Sequence, residues 1–208
     1  MSTDVWIGAV QPEWKVTVTG AATGEARDQP PLASSDDGAL VAACLAGRKE
    51  AFDVIVERHR RHVYQLCYRF VGNHEDASDL AQDVFVRAYR GLRSFKGQSS
   101  LGTWLYRIAV NVSLNKVGSK TPPQEPLSES AAAPFEHPAD ALVRGERAAE
   151  VRAAIARLPK KQRATLILRV YHELPHEQIA AVLGSSVGAV KANFFHALAN
   201  LRKLLRDV

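Results

Sequence analysis

Glu75-Asp76-Ala77-Ser78-Asp79-Leu80-Ala81-Gln82-Asp83-Val84-Phe85-Val86-Arg87-Ala88-Tyr89-Arg90 is the stretch on which the fold turns. At about 100° per residue, Ala77, Leu80, Ala81, Val84, Phe85 and Ala88 form one apolar stripe. Asp76, Asp79, Asp83, Arg87 and Arg90 share the opposite arc. The period predicts an amphipathic helix with one face for a core and a carboxylate-rich face turned outward. A polar loop, Phe95-Lys96-Gly97-Gln98-Ser99-Ser100, leads to a second helical stretch that sets Trp104, Arg107, Asn111 and Asn115 along one edge. An indole that stacks, beside Arg and Asn that hydrogen-bond bases, suits unpaired nucleic acid. Taken alone, either helix fits a solvated face in a bundle equally well.

Working outward, helices are predicted over residues 37–46, 49–71, 74–91 and 101–117. Asp36 or Asp37 is placed to cap the first, which ends near Gly47. The second buries Phe52, Ile55, Val56, Val63, Leu66, Cys67 and Phe70 and stops at Gly72; Asn73 then caps the third, with Asp76 three residues on. Pro122, Pro123, Pro126, Pro134 and Pro138 crowd residues 118–139, which excludes a helix and removes donors a sheet needs. Helices resume over 140–157, 160–173, 176–183 and 187–206, with Pro159 and Pro175 near the starts of two of them. Residues 1–36 hold Trp6 and Trp14 but no sustained period. They read as a largely disordered arm, with a short strand at Val16–Thr19 as the alternative. The expected fold is all-α: two small helical domains, 37–118 and 140–208, joined by a flexible Pro-rich linker at 119–139.

Charge follows this division. Residues 1–36 carry 2 Lys and Arg against 5 acids, and 119–146 carry 2 against 5. Residues 37–118 carry 12 against 8, and 147–208 carry 11 against 4. The basic excess therefore lies in the helical segments, which points to a polyanionic partner. The two cysteines, Cys44 and Cys67, fall in apolar helical patterns and read as buried thiols of a reducing compartment. With no export signal and no long apolar run, the expectation is a cytoplasmic protein without membrane insertion.

The C-terminal segments read as a helix-turn-helix. Ile179, Val182 and Leu183 give the short helix its apolar side, Gly184 the turn, and Ser185 or Ser186 the next cap. In the last helix Val187, Val190, Phe194, Ala197, Leu198, Leu201 and Leu205 share a stripe. His172-Glu173-Leu174-Pro175-His176 satisfies the H-E-x-x-H pattern of zinc peptidases, but that chemistry needs both histidines on one unbroken helix. Pro175 disfavours helix at Leu174, so the pattern is read as a decoy. No metal, no cofactor and no catalytic constellation is expected, and the chain is not read as an enzyme.

Asp79-Leu80-Ala81-Gln82-Asp83-Val84-Phe85, Gly97-Gln98-Ser99-Ser100 and Thr103-Trp104-Leu105-Tyr106-Arg107-Ile108-Ala109 with Asn111 resemble region 2 of a bacterial RNA polymerase sigma factor of the small extracytoplasmic-function type. Leu158-Pro159-Lys160-Lys161-Gln162-Arg163, Gln178 to Gly184, and Val190-Lys191 resemble region 4 of the same family. The resemblance implies a promoter-selecting initiation factor, with the phosphoryl chemistry left to the polymerase. It implies that Asp76, Asp79, Gln82, Asp83 and Arg87 face the largest subunits of core polymerase. Lys96, Gln98, Ser99, Trp104, Arg107, Asn111 and Asn115 would receive the single-stranded −10 element. Ser186, Lys191, Asn193, Phe195, His196 and Arg202 would meet the double-stranded −35 element. An anti-sigma factor is a further expected partner.

The reading helix departs from the family pattern, with Ala189 before Val190-Lys191 where Thr is common, and with Ala192, Asn193, Phe195 and His196 after it. Fewer fixed charges imply less phosphate attraction from this helix. Pro175 likewise stands where the family usually has a Ser cap. A polymerase-independent helix-turn-helix regulator is the alternative, against which the carboxylate face argues, because acids have no use on a DNA surface.

Overall fold

Two apolar stripes facing each other set the first half of the fold. In the computed structural model, which describes residues 32–119 and 138–206, a 3-10 turn at Leu32–Ser34 precedes α1 (Asp37–Leu45), α2 (Glu50–Val71), α3 (His74–Gly91) and, after a 3-10 turn at Leu92–Ser94, α4 (Leu101–Ser119). Ala77, Leu80, Ala81, Val84, Phe85 and Ala88 of α3 are all buried, the six positions the helical period selects. They meet Phe52, Ile55, Val63, Leu66, Cys67 and Phe70 of α2 and Leu101, Leu105, Ala109 and Val112 of α4. Ile55 and Leu66 are fully buried, and truncating such a side chain to Ala costs about 2–5 kcal/mol. Val56, expected in this core, is only half-buried at its edge.

Polar groups fix the helix ends. The Asp36 carboxylate accepts from the N–H of Ala39 at 2.7 Å. Asp37 pairs with Arg58 at 2.7 Å and with His59 at 3.0 Å, which ties α1 to α2. Gly72 takes φ 78°, a left-handed conformation that costs glycine little, and its N–H donates to the Tyr68 carbonyl. The Asn73 side chain accepts from the N–H of Asp76 at 2.8 Å and donates to the Asp76 carboxylate at 2.8 Å. Such a cap is worth about 1 kcal/mol.

The second half comprises α5 (Pro138–Ala156), α6 (Lys160–Val170), α7 (His176–Leu183) and α8 (Val187–Leu204). α5 begins at Pro138, earlier than expected; a first-turn proline has no helical N–H bond to lose. α6 ends at Val170, three residues short of the expected 173. Pro175 disfavours helix at Leu174, and Glu173 takes φ 53°. The break is held by the Leu174 N–H donating to the Leu168 carbonyl at 3.2 Å and by Arg169 donating to the Leu174 carbonyl at 3.0 Å. Pro175 supplies no side-chain cap to α7. Gly184 turns the chain at φ 58°, and the Ser186 hydroxyl accepts from the Ala189 N–H at 3.2 Å, giving the expected helix-turn-helix. On α8, Val190 and Ala197 are buried, but Leu198 is 45% and Leu205 36% exposed, so the expected stripe is only partly covered.

The two helical groups also touch. α4 packs along α7 and α2 meets α6, and the apolar residues of both groups belong to one contiguous cluster. All described elements are helical, as the periodicity predicts. The expected N-terminal arm at 1–36 and the linker at 119–139 lie outside the described residues except at their edges.

Candidate polymerase and nucleic-acid interface

The outward face of α3 is built by default, because its other face is consumed by packing. Asp79, Gln82 and Arg87 are exposed and Asp83 is half-buried. Arg87 Nε donates to both Asp83 oxygens at 2.9 Å, one turn along the helix, and this carboxylate raises the Arg87 pKa. Asp76 differs from the others: Lys116, near the end of α4, reaches it at 2.9 Å, and that bond raises the Lys116 pKa. The five residues expected at this face do lie on one helix surface, with Asp76 shared with α4. Val86 and Tyr89 extend the same surface, 47% and 49% exposed. Tyr89 meets the Phe52 ring edge-on, with centroids 5.0 Å apart.

The loop before α4 turns at Gly97 with φ 67°, leaving Lys96 and Gln98 exposed and Ser99 half-buried. Ser100 starts α4 by accepting from the Thr103 N–H at 3.1 Å. Arg107, Asn111 and Asn115 then stand exposed along α4. Trp104 is half-buried, 5.3 Å from the Phe95 ring centroid-to-centroid and against Gly91, where a β-carbon would meet the indole at 3.6 Å. The indole thus forms a wall of the loop, with one part packed and one part free. Arg107 does not project freely: its guanidinium donates to the Ala181 carbonyl on α7.

On α8, Lys191, His196 and Arg202 are exposed, and Phe195 is 70% exposed with its ring edge-on to His196 at 5.8 Å. Asn193 is half-buried, and Ser186 is occupied as the helix cap. The half-buried neighbour Phe194 packs toward His176, with centroids 6.1 Å apart. That places the two histidines of the H-E-x-x-H pattern in different surroundings, since His172 lies before the Pro175 break against Tyr106, at 5.2 Å. Burial pushes the His172 pKa down to about 4, with His62 and Arg69 adding to the effect.

Residues 55–121 match the family model for sigma-70 region 2, and residues 148–201 match that for sigma-70 region 4. The RNA polymerase sigma-H factor of Pseudomonas aeruginosa is 35% identical over 188 residues, spanning 85% of this chain and 97% of that protein. The ECF RNA polymerase sigma factor SigW of Bacillus subtilis is 35% identical over 173 residues, 78% of this chain and 92% of its own. The chain belongs to the extracytoplasmic-function sigma factors of RNA polymerase. Its function is that of an RNA polymerase sigma factor. Among solved structures, this sigma factor resembles CnrH in complex with the cytosolic domain of CnrY, with a TM-score of 0.63, 26% identity, and 82% and 97% of the two chains covered. It shares its fold with RpoE of Bartonella quintana, solved with the anti-sigma factor NepR, at a TM-score of 0.56 and 19% identity. Region 2 of the sigma factor is thus α2 to α4, with α1 braced on it through Asp37, and region 4 is α5 to α8. No helix among the described residues is long and apolar enough to cross a membrane.

Sequence reasoning missed Lys116 and Arg163. Lys116 reads as a solvated residue, since its partner Asp76 lies forty positions earlier. Arg163, only 6% exposed, donates to the Phe70 carbonyl of region 2, and burial lowers its pKa. A local signal did exist for Arg163: it is followed directly by the buried run Ala164 to Leu168.

Proposed function

We propose that this sigma factor uses three surfaces for three tasks in initiation. Asp79, Gln82, Asp83 and Arg87, with Asp76 at the edge, dock on the large subunits of core polymerase, where charged pairs set orientation and association rate. Lys96, Gln98, Ser99, Trp104, Arg107, Asn111 and Asn115 take the melted −10 strand by stacking and base hydrogen bonds. Ser186, Lys191, Asn193, Phe195, His196 and Arg202 meet the −35 duplex in the major groove. The polymerase performs the phosphoryl chemistry in the cytoplasm, and this chain supplies promoter choice without catalysis of its own. An anti-sigma factor is a further partner, in keeping with the family.

The observation that carries this reading is the acidic surface of α3: four polar residues lie outward on a helix whose opposite face is wholly buried. A regulator that meets DNA alone has no use for such a surface, because it repels phosphates. Co-purification with core polymerase, followed by promoter-dependent transcription from that complex, tests the reading. A folded chain that does not associate with the polymerase would overturn it.

A further inference from the structure

Arg107 and Arg163 bond region 4 to region 2 along a seam, and a cleft of about 260 Å³ lies between the same two halves. Tyr64, Tyr68 and Arg69 of α2 line it, with His74 at the start of α3 and Tyr171 and His172 just after α6. The Tyr64 hydroxyl and His74 Nδ1 share a hydrogen bond, and their rings lie within 14° of parallel with centroids 6.3 Å apart. A bond between ring edges at that angle sets the two rings nearly in one plane, as a flat platform. Tyr68 stacks on His74 with centroids 4.7 Å apart. Arg69 lies over Tyr171, its guanidinium carbon 4.0 Å from the ring centre.

The chemistry of this lining selects a class of ligand. Flat rings offer stacking, and a guanidinium stacked on a ring keeps its N–H edge open to a carboxylate. Arg69 is exposed and makes no hydrogen bond or ion pair among the described residues, so that edge is available. No carboxylate lines the cleft among the described residues, which disfavours the cationic ligands that aromatic cages otherwise take. His172 keeps Nε2 buried with no hydrogen-bond partner among the described residues, a cost that a ligand reaching it would remove. Size decides the rest. The cleft is smaller than the roughly 300–1,000 Å³ of pockets for drug-sized ligands, so it suits one ring with a short substituent.

We propose that this cleft is a binding site for a single-ring aromatic carboxylate, its ring stacked on the Tyr64–His74 platform and its carboxylate paired with Arg69. None of the residues assigned to polymerase or promoter lines it, so the site stands independently of those assignments. Its walls come from both regions, and an occupant that binds only the folded chain stabilises it by mass action.

Benzoate titrated into the full chain, followed by calorimetry and by melting temperature, tests the site. One equivalent should bind with a dissociation constant of about 0.1–1 mM, ordinary for about ten non-hydrogen atoms in an open cleft. The melting temperature should rise with benzoate concentration. Benzamidine, flat but cationic, should show no binding. Cyclohexanecarboxylate, anionic but without a flat ring, should bind about three- to tenfold more weakly, the range of a lost ring stack. Arg69→Leu should weaken benzoate by about tenfold or more, the loss of a charge-assisted hydrogen bond, with circular dichroism confirming unchanged helix content. No saturable heat up to about 10 mM benzoate, equal binding of benzamidine, or undiminished binding by Arg69→Leu would overturn the proposal. A single-stranded oligonucleotide that binds through Arg69 where benzoate does not would overturn it too, and assign the cleft to a nucleobase.

Discussion

The Lys116 ammonium lies 2.9 Å from the Asp76 carboxylate, so the end of α4 neutralises the start of the α3 acidic stripe. Arg87 similarly engages Asp83, at 2.9 Å, but this pair lies within one helix turn at the surface. Exposed pairs of that kind contribute about 0–1 kcal/mol and exchange readily with a partner's charges. The stripe is therefore graded, from a carboxylate held by its own fold at Asp76 to exchangeable ones at Asp79 and Asp83.

Reversing charge at both exchangeable positions, Asp79→Arg with Asp83→Arg, should reduce core-polymerase binding by more than tenfold with the helix content intact. Neither residue belongs to the buried stripe, so the loss arises from repulsion rather than unfolding. A pull-down beside circular dichroism checks this; binding by a folded double variant would remove the stripe from the polymerase contact.

Asn111→Ala should reduce promoter melting while leaving thermal stability within about 0.5 kcal/mol, as expected for an exposed helix position. Permanganate reactivity of the −10 strand reads the first effect and a thermal melt the second. Trp104→Ala is the less selective probe, because the indole packs on Phe95 and beside Gly91. It should lower both melting activity and stability, the latter by about 1–3 kcal/mol for a half-buried aromatic. A Trp104→Ala chain with unchanged permanganate reactivity would take the indole out of strand recognition.

Lys191→Ala or Arg202→Ala should weaken duplex binding across sequences and flatten its salt dependence. Each lost phosphate contact should change the log–log slope by about 0.9. Filter binding over a salt series measures it. A slope that stays put would place that side chain away from the DNA backbone.

Acid should loosen the molecule through His172. Burial, with His62 and Arg69 nearby, lowers its pKa from 6.5 to about 4, so the fold favours the neutral ring. The unfolded chain then binds the proton more readily. This group's stabilisation is present above about pH 6.5 and is lost as pH falls toward 4, amounting to about 2 kcal/mol once solvent screening of the half-buried ring is allowed for. Urea midpoints at pH 7 and 4.5 should differ less for His172→Phe than for the unmodified chain. Equal acid sensitivity of the two would assign the effect to other groups.

The α3 stripe was legible because one helix face decides it: six apolar positions at the right spacing become six buried ones. The Asn73–Asp76 cap and the break before Pro175 were legible for the same reason, since both depend on neighbours a few residues away. On α8 the period alone does not decide burial. Its period marked Leu198 and Leu205 as core, but the covered line runs through buried Val190 and Ala197 with Leu201 and Leu204 packed beside it, and Leu198 and Leu205 stand about 80–100° round from Ala197, at the edge of that cover. Trp104 borders its stripe and faces both ways, a choice only the position of Phe95 settles. The Lys116 bond and the seam arginines join residues far apart in the chain, which no helical period encodes.

Those long separations govern time as well as shape. The bonds from Arg107 to Ala181 and from Arg163 to Phe70 span 74 and 93 residues, whereas the caps and turns within each bundle close over a few. Each doubling of a closed loop costs only about 0.6 kcal/mol more, so distance does not forbid the seam. It does place the seam late. Local helical contacts form in microseconds, and region-on-region docking follows them in milliseconds or longer. On a growing chain, region 2 leaves the ribosome first, folds, and stands as a finished surface when region 4 emerges. The newborn protein then passes through a brief interval in which Arg107 has no carbonyl from the C-terminal half to bond.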